Sequence, residues 1–284
     1  MTEPTTKQRQ RLRAHFGFTR MPFHKAMRAA QMYDSQSQRE LVAGLEMWTE
    51  VGGLALLTGP TGVGKSISLR RFLQDLDERR FHVMQFTYLP GTVTGFLRSL
   101  SRTLGLRMRL HGADLFDAAR DHLANFEQTN GPHPLVVIDD AEGLSVPVLD
   151  VLRRMTAHDL DAEQRFSILL SGTEDFAHTL QLPALESLRS RFAYAHVLRA
   201  FTLEDTRNYL RFHLQRAEVD PAIVSDDACR KLFNASQGRP RQLNQLALNA
   251  LITAAATGND TIDGRFMQQT ITAHPLYRRT DSTG

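Results

Sequence analysis

Eight consecutive residues constrain this chain more than any other feature: Gly59, Pro60, Thr61, Gly62, Val63, Gly64, Lys65 and Ser66. They match the pattern G-x-x-x-x-G-K-[ST] in full. The apolar run from Leu54 to Thr58 reads as a short buried strand, and Ser66 to Leu76 as a helix, so the glycines fall in a strand-to-helix turn. That context gives the spacing its chemistry. Glycines let successive backbone N–H groups turn inward around a phosphate, and the helix N-terminus adds its positive dipole end. Lys65 places a point charge on the β- and γ-oxygens, the Ser66 hydroxyl is a ligand for Mg²⁺, and Ile67 completes the stretch that follows the phosphates. The turn therefore predicts ATP and Mg²⁺ as the bound species.

Around this turn, apolar strand runs alternate with helical spacing. Helices are expected over about 37–50, 92–104, 113–128 and 146–157, with strands at 81–88, 135–138, 166–170 and 194–198. Strands separated by helices predict an α/β fold with a parallel sheet flanked by helices. From Thr202 onward the strand pattern stops, and helices at about 202–217, 226–235, 240–256 and 263–273 predict a small C-terminal helical domain. The expected division is a basic N-terminal arm with an aromatic stretch over 1–28, a nucleotide-binding core over 29–200, a helical lid over 201–273 and a flexible tail over 274–284.

Further candidates stand at the ends of predicted strands. Asp139 follows the run Leu135 to Ile138, so its carboxylate projects where open α/β sheets bind ligands, and it is the expected second holder of Mg²⁺. Asp140 occupies the next position, where a general base for an attacking water belongs; Glu142, two residues on, is the alternative. Ser171 and Thr173 end another strand and are both candidates to orient that water; Thr173 also suits a helix cap. Arg191 and Arg189 precede the last strand, at a core edge from which an arginine reaches a neighbouring subunit's γ-phosphate. Arg241 falls in the first turn of a helix begun by Pro240, an unfavourable place for a cation unless an anion lies nearby, and the γ-phosphate is the natural one.

Taken in order, Phe16-Gly-Phe18 with Pro22-Phe23, GPTGVGKS, LVVIDDAE, SGT, LRSRF and GRPRQLN resemble the ExeA/TnsC-like branch of AAA+ ATPases over about residues 14–273. That branch includes secretion-associated ATPases and DNA-transposition regulators of the TnsC, TniB and MuB kind. The resemblance implies an AAA+ core with a helical lid, ATP hydrolysis and assembly into a ring or helical filament. It also implies that the aromatic segment holds adenine, through Phe16, Phe18 or Phe23, against which core packing is the competing role. Relatives read Asp-Glu-Ala-Gln where this chain has Asp139, Asp140, Ala141 and Glu142, which implies slow turnover.

The net charge of +3 is too small to announce a nucleic-acid binder, so the placement of cations carries that question. Lys7, Arg9, Arg11 and Arg13 form a basic arm that suits either a phosphate backbone or solvent. Thr92, Thr94, Arg98, Arg102, Arg107 and Arg109 offer hydroxyls and cations after the second strand, for contacts to double-stranded DNA that read no sequence. The reading is an ATP-dependent regulator that oligomerises on duplex DNA and recruits or activates a transposase; a secretion-assembly ATPase and a scaffold that barely hydrolyses are the alternatives. The single cysteine, Cys229, excludes an intrachain disulfide framework, and the polar N-terminus has no apolar signal region, so a cytoplasmic protein with no membrane partner is expected.

Overall fold

The computed structural model describes residues 6–23, 32–87, 89–107, 111–157 and 165–277. Contacts divide the described residues into two compact units. One comprises Gln36–Pro60 and Lys65–Leu198; the other comprises the described residues of Met1–Ser35, Thr61–Gly64 and Arg199–Gly284.

The first unit is an α/β sandwich. Its sheet holds β1 (Leu54–Thr58), β2 (Phe81–Phe86), β3 (His133–Ile138), β4 (Ser167–Ser171) and β5 (Phe192–Val197), all parallel, in the order β2-β3-β4-β1-β5. The inner strands β3 and β4 are almost wholly buried, as their continuous apolar runs require when both faces are covered. Edge strand β5 instead alternates half-buried and exposed residues. Helices α2 (Gln36–Val51), α3 (Lys65–Asp75), α4 (Val93–Thr103), α5 (Gly112–Ala124), α6 (Phe126–Asn130), α7 (Val146–Met155), α8 (Glu174–Thr179) and α9 (Glu186–Arg189) connect and cover the strands. The single helix expected over 113–128 is two, because Asn125 leaves helical geometry between α5 and α6. Helix α4 is strongly two-faced: it buries Phe96, Leu97, Leu100 and Ser101 and exposes Thr94, Arg98 and Arg102, each four residues apart.

The second unit is helical, with α10 (Leu203–Arg216), α11 (Asp226–Ser236), α12 (Pro240–Thr257) and α13 (Gly264–Ala273). Three of these helices start at a side-chain cap. Thr202 and Asp205 form a reciprocal capping box on α10, while Ser225 and Asp263 cap α11 and α13.

The N-terminal segment, expected as a basic arm suited to a phosphate backbone or to solvent, is helical in its described part. Residues Thr6–Phe16 form a helix, α1, that packs on α12, with Leu12 only 1% exposed. Gly17 ends it at a φ of 72°, donating its N–H to the Arg13 carbonyl, a left-handed stop that glycine adopts without cost. Arg11 donates to the Ala256 carbonyl at 3.1 Å. The side chains of Lys7 and Arg9 lie outside the described residues. At the other end Tyr277 is docked: its hydroxyl donates to Gln245 at 2.6 Å, so the described part of the expected tail is held.

An aromatic cluster fastens the chain after α1. Phe18 and Phe23 are buried with Phe201, Tyr209 and Leu210. Phe23 sits at a φ of 58°, a costly conformation for a non-glycine residue, and its N–H donates to His213 Nδ1 at 3.3 Å. Burial first, and then the Arg216 charge, push the His213 imidazole down to about 4.

Two outcomes follow from this packing. Leu12→Ala lowers unfolding stability by about 2–4 kcal/mol in denaturant titration, whereas exposed Arg13→Ala changes it by less than about 0.5 kcal/mol. Because His213 stays neutral in the fold but charges when unfolded, the unfolded chain binds the extra proton between about pH 6.5 and 4. Its contribution is therefore complete above pH 6.5 and is lost as pH falls toward 4, at about 1.4 kcal/mol per pH unit, and His213→Phe should flatten that part of the stability profile.

Candidate nucleotide site

The glycine-rich turn forms where β1 runs out. Gly59, Gly62 and Gly64 take φ values of 149°, 83° and 114°, in the left-handed half of conformational space that side chains disfavour. Three such residues in six let the backbone wind tightly before α3 begins, and α3 has no acidic residue in its first turn to compete for an anion. Lys65 is 9% exposed, and its ammonium donates to the carbonyls of Gly59 at 2.8 Å and Pro60 at 3.2 Å. A cation so nearly buried has its reach fixed by the turn it sits under. Ser66, next along, is exposed, Ile67 half-buried and Val63 buried.

Sheet topology explains why this turn has chemistry beside it. From β1 the chain crosses to the β2 edge, and from β4 it crosses to the β5 edge, so the carboxyl ends of the adjacent strands β1 and β4 flank the switch point of the sheet. Asp139 leaves the end of β3 there, and Ser171 closes β4. Ser171 is fully buried, and its hydroxyl donates to Asp139 Oδ1 at 2.8 Å. The Asp140 N–H donates to the same oxygen at 3.1 Å. Two donors on one oxygen fix the carboxylate plane, and among the described residues no hydrogen bond is made to Oδ2, which is the oxygen suited to a metal's water shell.

Of the two candidates at the end of β4, Ser171 is therefore the one joined to the acidic strand end. Thr173 stands at the N-cap of α8 without a capping hydrogen bond. Asp140 is exposed at a φ of 55°, a left-handed geometry that aspartate tolerates better than most residues, and Glu142 is exposed on the short 3-10 turn that follows. Arg189 donates to the Leu180 carbonyl at 2.9 Å. Arg191 is half-buried just ahead of β5.

In the helical unit, Arg241 lies against the tip of the glycine turn. Its N–H donates to the Gly62 carbonyl at 3.2 Å, and a Cβ at Gly62 would meet the Arg241 Cβ at 3.1 Å. Helix α12 has no acidic residue in its first turn and no side-chain cap, so the Gly62 carbonyl serves one of its otherwise unanswered N–H groups. The sequence suggested Arg241 from its awkward place on the helix, but it held no sign of this contact. Phe18, the adenine candidate, is 3% exposed and stacks on Phe16 with centroids 5.3 Å apart, so its observed role is core packing. Thr92 accepts from the Gly95 N–H as the N-cap of α4, Arg107 is exposed, and Arg109 lies outside the described residues.

These residues fit a magnesium nucleotide: a glycine turn, a buried lysine beneath it, an exposed serine hydroxyl and an oriented aspartate. Among the described residues no cluster of three His, Cys, Asp or Glu side chains is arranged to hold a metal ion by itself. A small hard cation here would take its remaining ligands from phosphate oxygens and water.

Residues 49–180 match the family described as "AAA domain". In structure the chain is similar to Cdc6p from Pyrobaculum aerophilum, with a TM-score of 0.65 and 17% identity over 88% of this chain and 69% of that one. It is also similar to the Aeropyrum pernix ORC2 protein, with a TM-score of 0.60 and 14% identity over 88% and 71% of the two chains. The Thermotoga maritima RuvB Holliday junction branch migration motor gives 0.54 and 18%, over 84% and 68%. The fold is that of a P-loop AAA+ ATPase. In sequence the chain is 30% identical over 256 residues to General secretion pathway protein A of Aeromonas hydrophila. That match takes in 87% of this chain, which spans 45% of the length of that relative.

Ser171→Ala removes the donor that orients Asp139 while leaving the glycine turn intact. The expected result is a 10- to 100-fold loss of ATP turnover, by analogy with the roughly 10–100-fold effect of removing partners that orient metal ligands. Thr173→Ala in parallel should cost less than about threefold by the same phosphate-release measurement.

Proposed function

We propose that this chain binds ATP with Mg²⁺ at the glycine turn and hydrolyses it. The observation that carries the reading is the Ser171–Asp139 hydrogen bond at the switch point of the sheet that bears the glycine turn. Lys65 neutralises charge on the β- and γ-phosphates, and the Ser66 hydroxyl and Asp139 would hold the cation. Bound there, Mg²⁺ supplies charge neutralisation on the transferring phosphoryl group. A carboxylate takes the proton of the water that attacks the γ-phosphorus while the bond to the bridging β-phosphate oxygen breaks and ADP leaves; Asp140 is the nearer candidate in sequence, with Glu142 the alternative. Arg241 approaches the γ-phosphate from α12, and Arg191 serves a neighbouring copy in an oligomer.

We further read the chain as a DNA-dependent member of this fold that assembles on duplex DNA with ATP and regulates transposition. The supporting observation is the exposed row of Thr94, Arg98 and Arg102 along α4, with Arg107 just beyond it. Side chains four apart stand above one another on a helix, so this row presents its cations in one line suited to a phosphate backbone. A second reading, an ATPase of secretion assembly, is favoured by the 30% identity to General secretion pathway protein A.

Duplex-DNA binding measured across a salt series divides the two. If the α4 row contacts phosphates, log affinity falls linearly with log salt, by about 0.9 per contact, and binding requires ATP. Arg98→Ala with Arg102→Ala should reduce the slope by about 1.8 while nucleotide affinity stays unchanged. Absence of duplex binding at low salt with ATP present would end the transposition reading and leave the secretion reading.

A further inference from the structure

Arg241 stands between two fastenings that the ATPase chemistry does not itself require. Before it, Gly238 has a φ of 66°, and its carbonyl accepts the Phe201 N–H at 2.9 Å. A Cβ at Gly238 would collide with the Phe201 carbonyl, so the backbone of the turn lies directly on the Phe201 backbone. After it, Asn244 Oδ1 accepts the Tyr209 hydroxyl at 2.7 Å. Tyr209 is 7% exposed, and its ring is wedged against Phe201 at 5.1 Å and His213 at 4.5 Å. A phenol so enclosed adopts one rotamer, and burial raises its pKa, which keeps the hydroxyl a donor. Between the two fastenings, the Arg241 N–H meets the Gly62 carbonyl.

We propose that Tyr209 and Asn244 are positioning residues for Arg241, holding the first turns of α12 in the register that presents this arginine at the glycine turn. The proposal rests on the assignment of Arg241 to the γ-phosphate. It adds that the arginine's aim is set by a side-chain pair that does not touch the nucleotide. Exposed arginine side chains sample many rotamers, so a fixed backbone origin is what limits where the guanidinium can go. Helix α12 also lacks a side-chain cap, so its opening turns depend on such outside partners more than those of a well-capped helix.

Tyr209→Phe tests this with little disturbance, since it removes one hydroxyl and keeps the ring in place. Two quantities are read: hydrogen exchange at the Arg241 amide, and the ratio of affinities for a non-hydrolysable ATP analogue and for ADP. Asn244→Ala serves as the second variant. Either change is expected to speed exchange at that amide and to lower the affinity ratio about 3- to 10-fold. Combined with Arg241→Ala, neither should lower the ratio further. Unchanged exchange in both variants overturns the fastening, whatever the nucleotide result. Faster exchange with an unmoved ratio, where Arg241→Ala does lower it, overturns the positioning role. If Arg241→Ala itself leaves the ratio unmoved, the phosphate assignment of Arg241 fails, and positioning toward phosphate falls with it.

Discussion

A buried ammonium under a glycine turn is the constraint on which the rest of this structure depends. Lys65 lies almost out of solvent with the carbonyls of Gly59 and Pro60 turned toward it. Those carbonyls can point that way because the glycines accept backbone angles that a side chain would strain. Strand β1 stops at Thr58, helix α3 starts at Lys65, and the sheet order sets β4, closed by Ser171, next to β1, with β3 beyond it. The chemistry proposed for the site follows from that placement. Ser171 and Asp140 both spend their donors on Asp139 Oδ1, which sets the direction of the acid before any ligand arrives.

The helical unit answers a different physical need. Helix α12 begins with a cation and without a cap, an arrangement that would fray in isolation. It is held instead by the Gly62 carbonyl on one side and by Phe201 and Tyr209 on the other. The aromatic cluster around Tyr209 also binds the segment after α1, including the left-handed Phe23. Part of the chain's N-terminus thus belongs to the same core as the helix that carries Arg241.

Much of this was legible in the sequence because its signals are local. The glycine turn, the apolar strand before Asp139 and the end of β4 each announce themselves within eight residues or fewer. What was not legible depends on pairings far apart in the chain. Near Ser171 the sequence offers only that Thr173 also suits a helix cap; the hydrogen bond that joins Ser171 to Asp139 is made to a partner 32 residues earlier. The cations of the basic arm suit a phosphate backbone and solvent equally, yet Leu12 and Phe16, four apart, with Gly17 after them, mark a short docked helix. Phe18 had two local readings, adenine contact and packing, and the cluster around it shows the packing. Asn244 was visible within GRPRQLN, but its partner Tyr209 lies 35 residues away.

The central claim is that Lys65, held by the turn, is what makes this chain bind nucleotide. Calorimetric titration of ATP with Mg²⁺ into the wild-type protein and into Lys65→Ala tests it most directly. The account predicts measurable ATP binding by the wild type and a loss of about 10- to 100-fold or more in the variant, as expected when a charge-assisted contact is removed, with the fold intact by circular dichroism. Equal ATP affinity in a folded Lys65→Ala protein would contradict it.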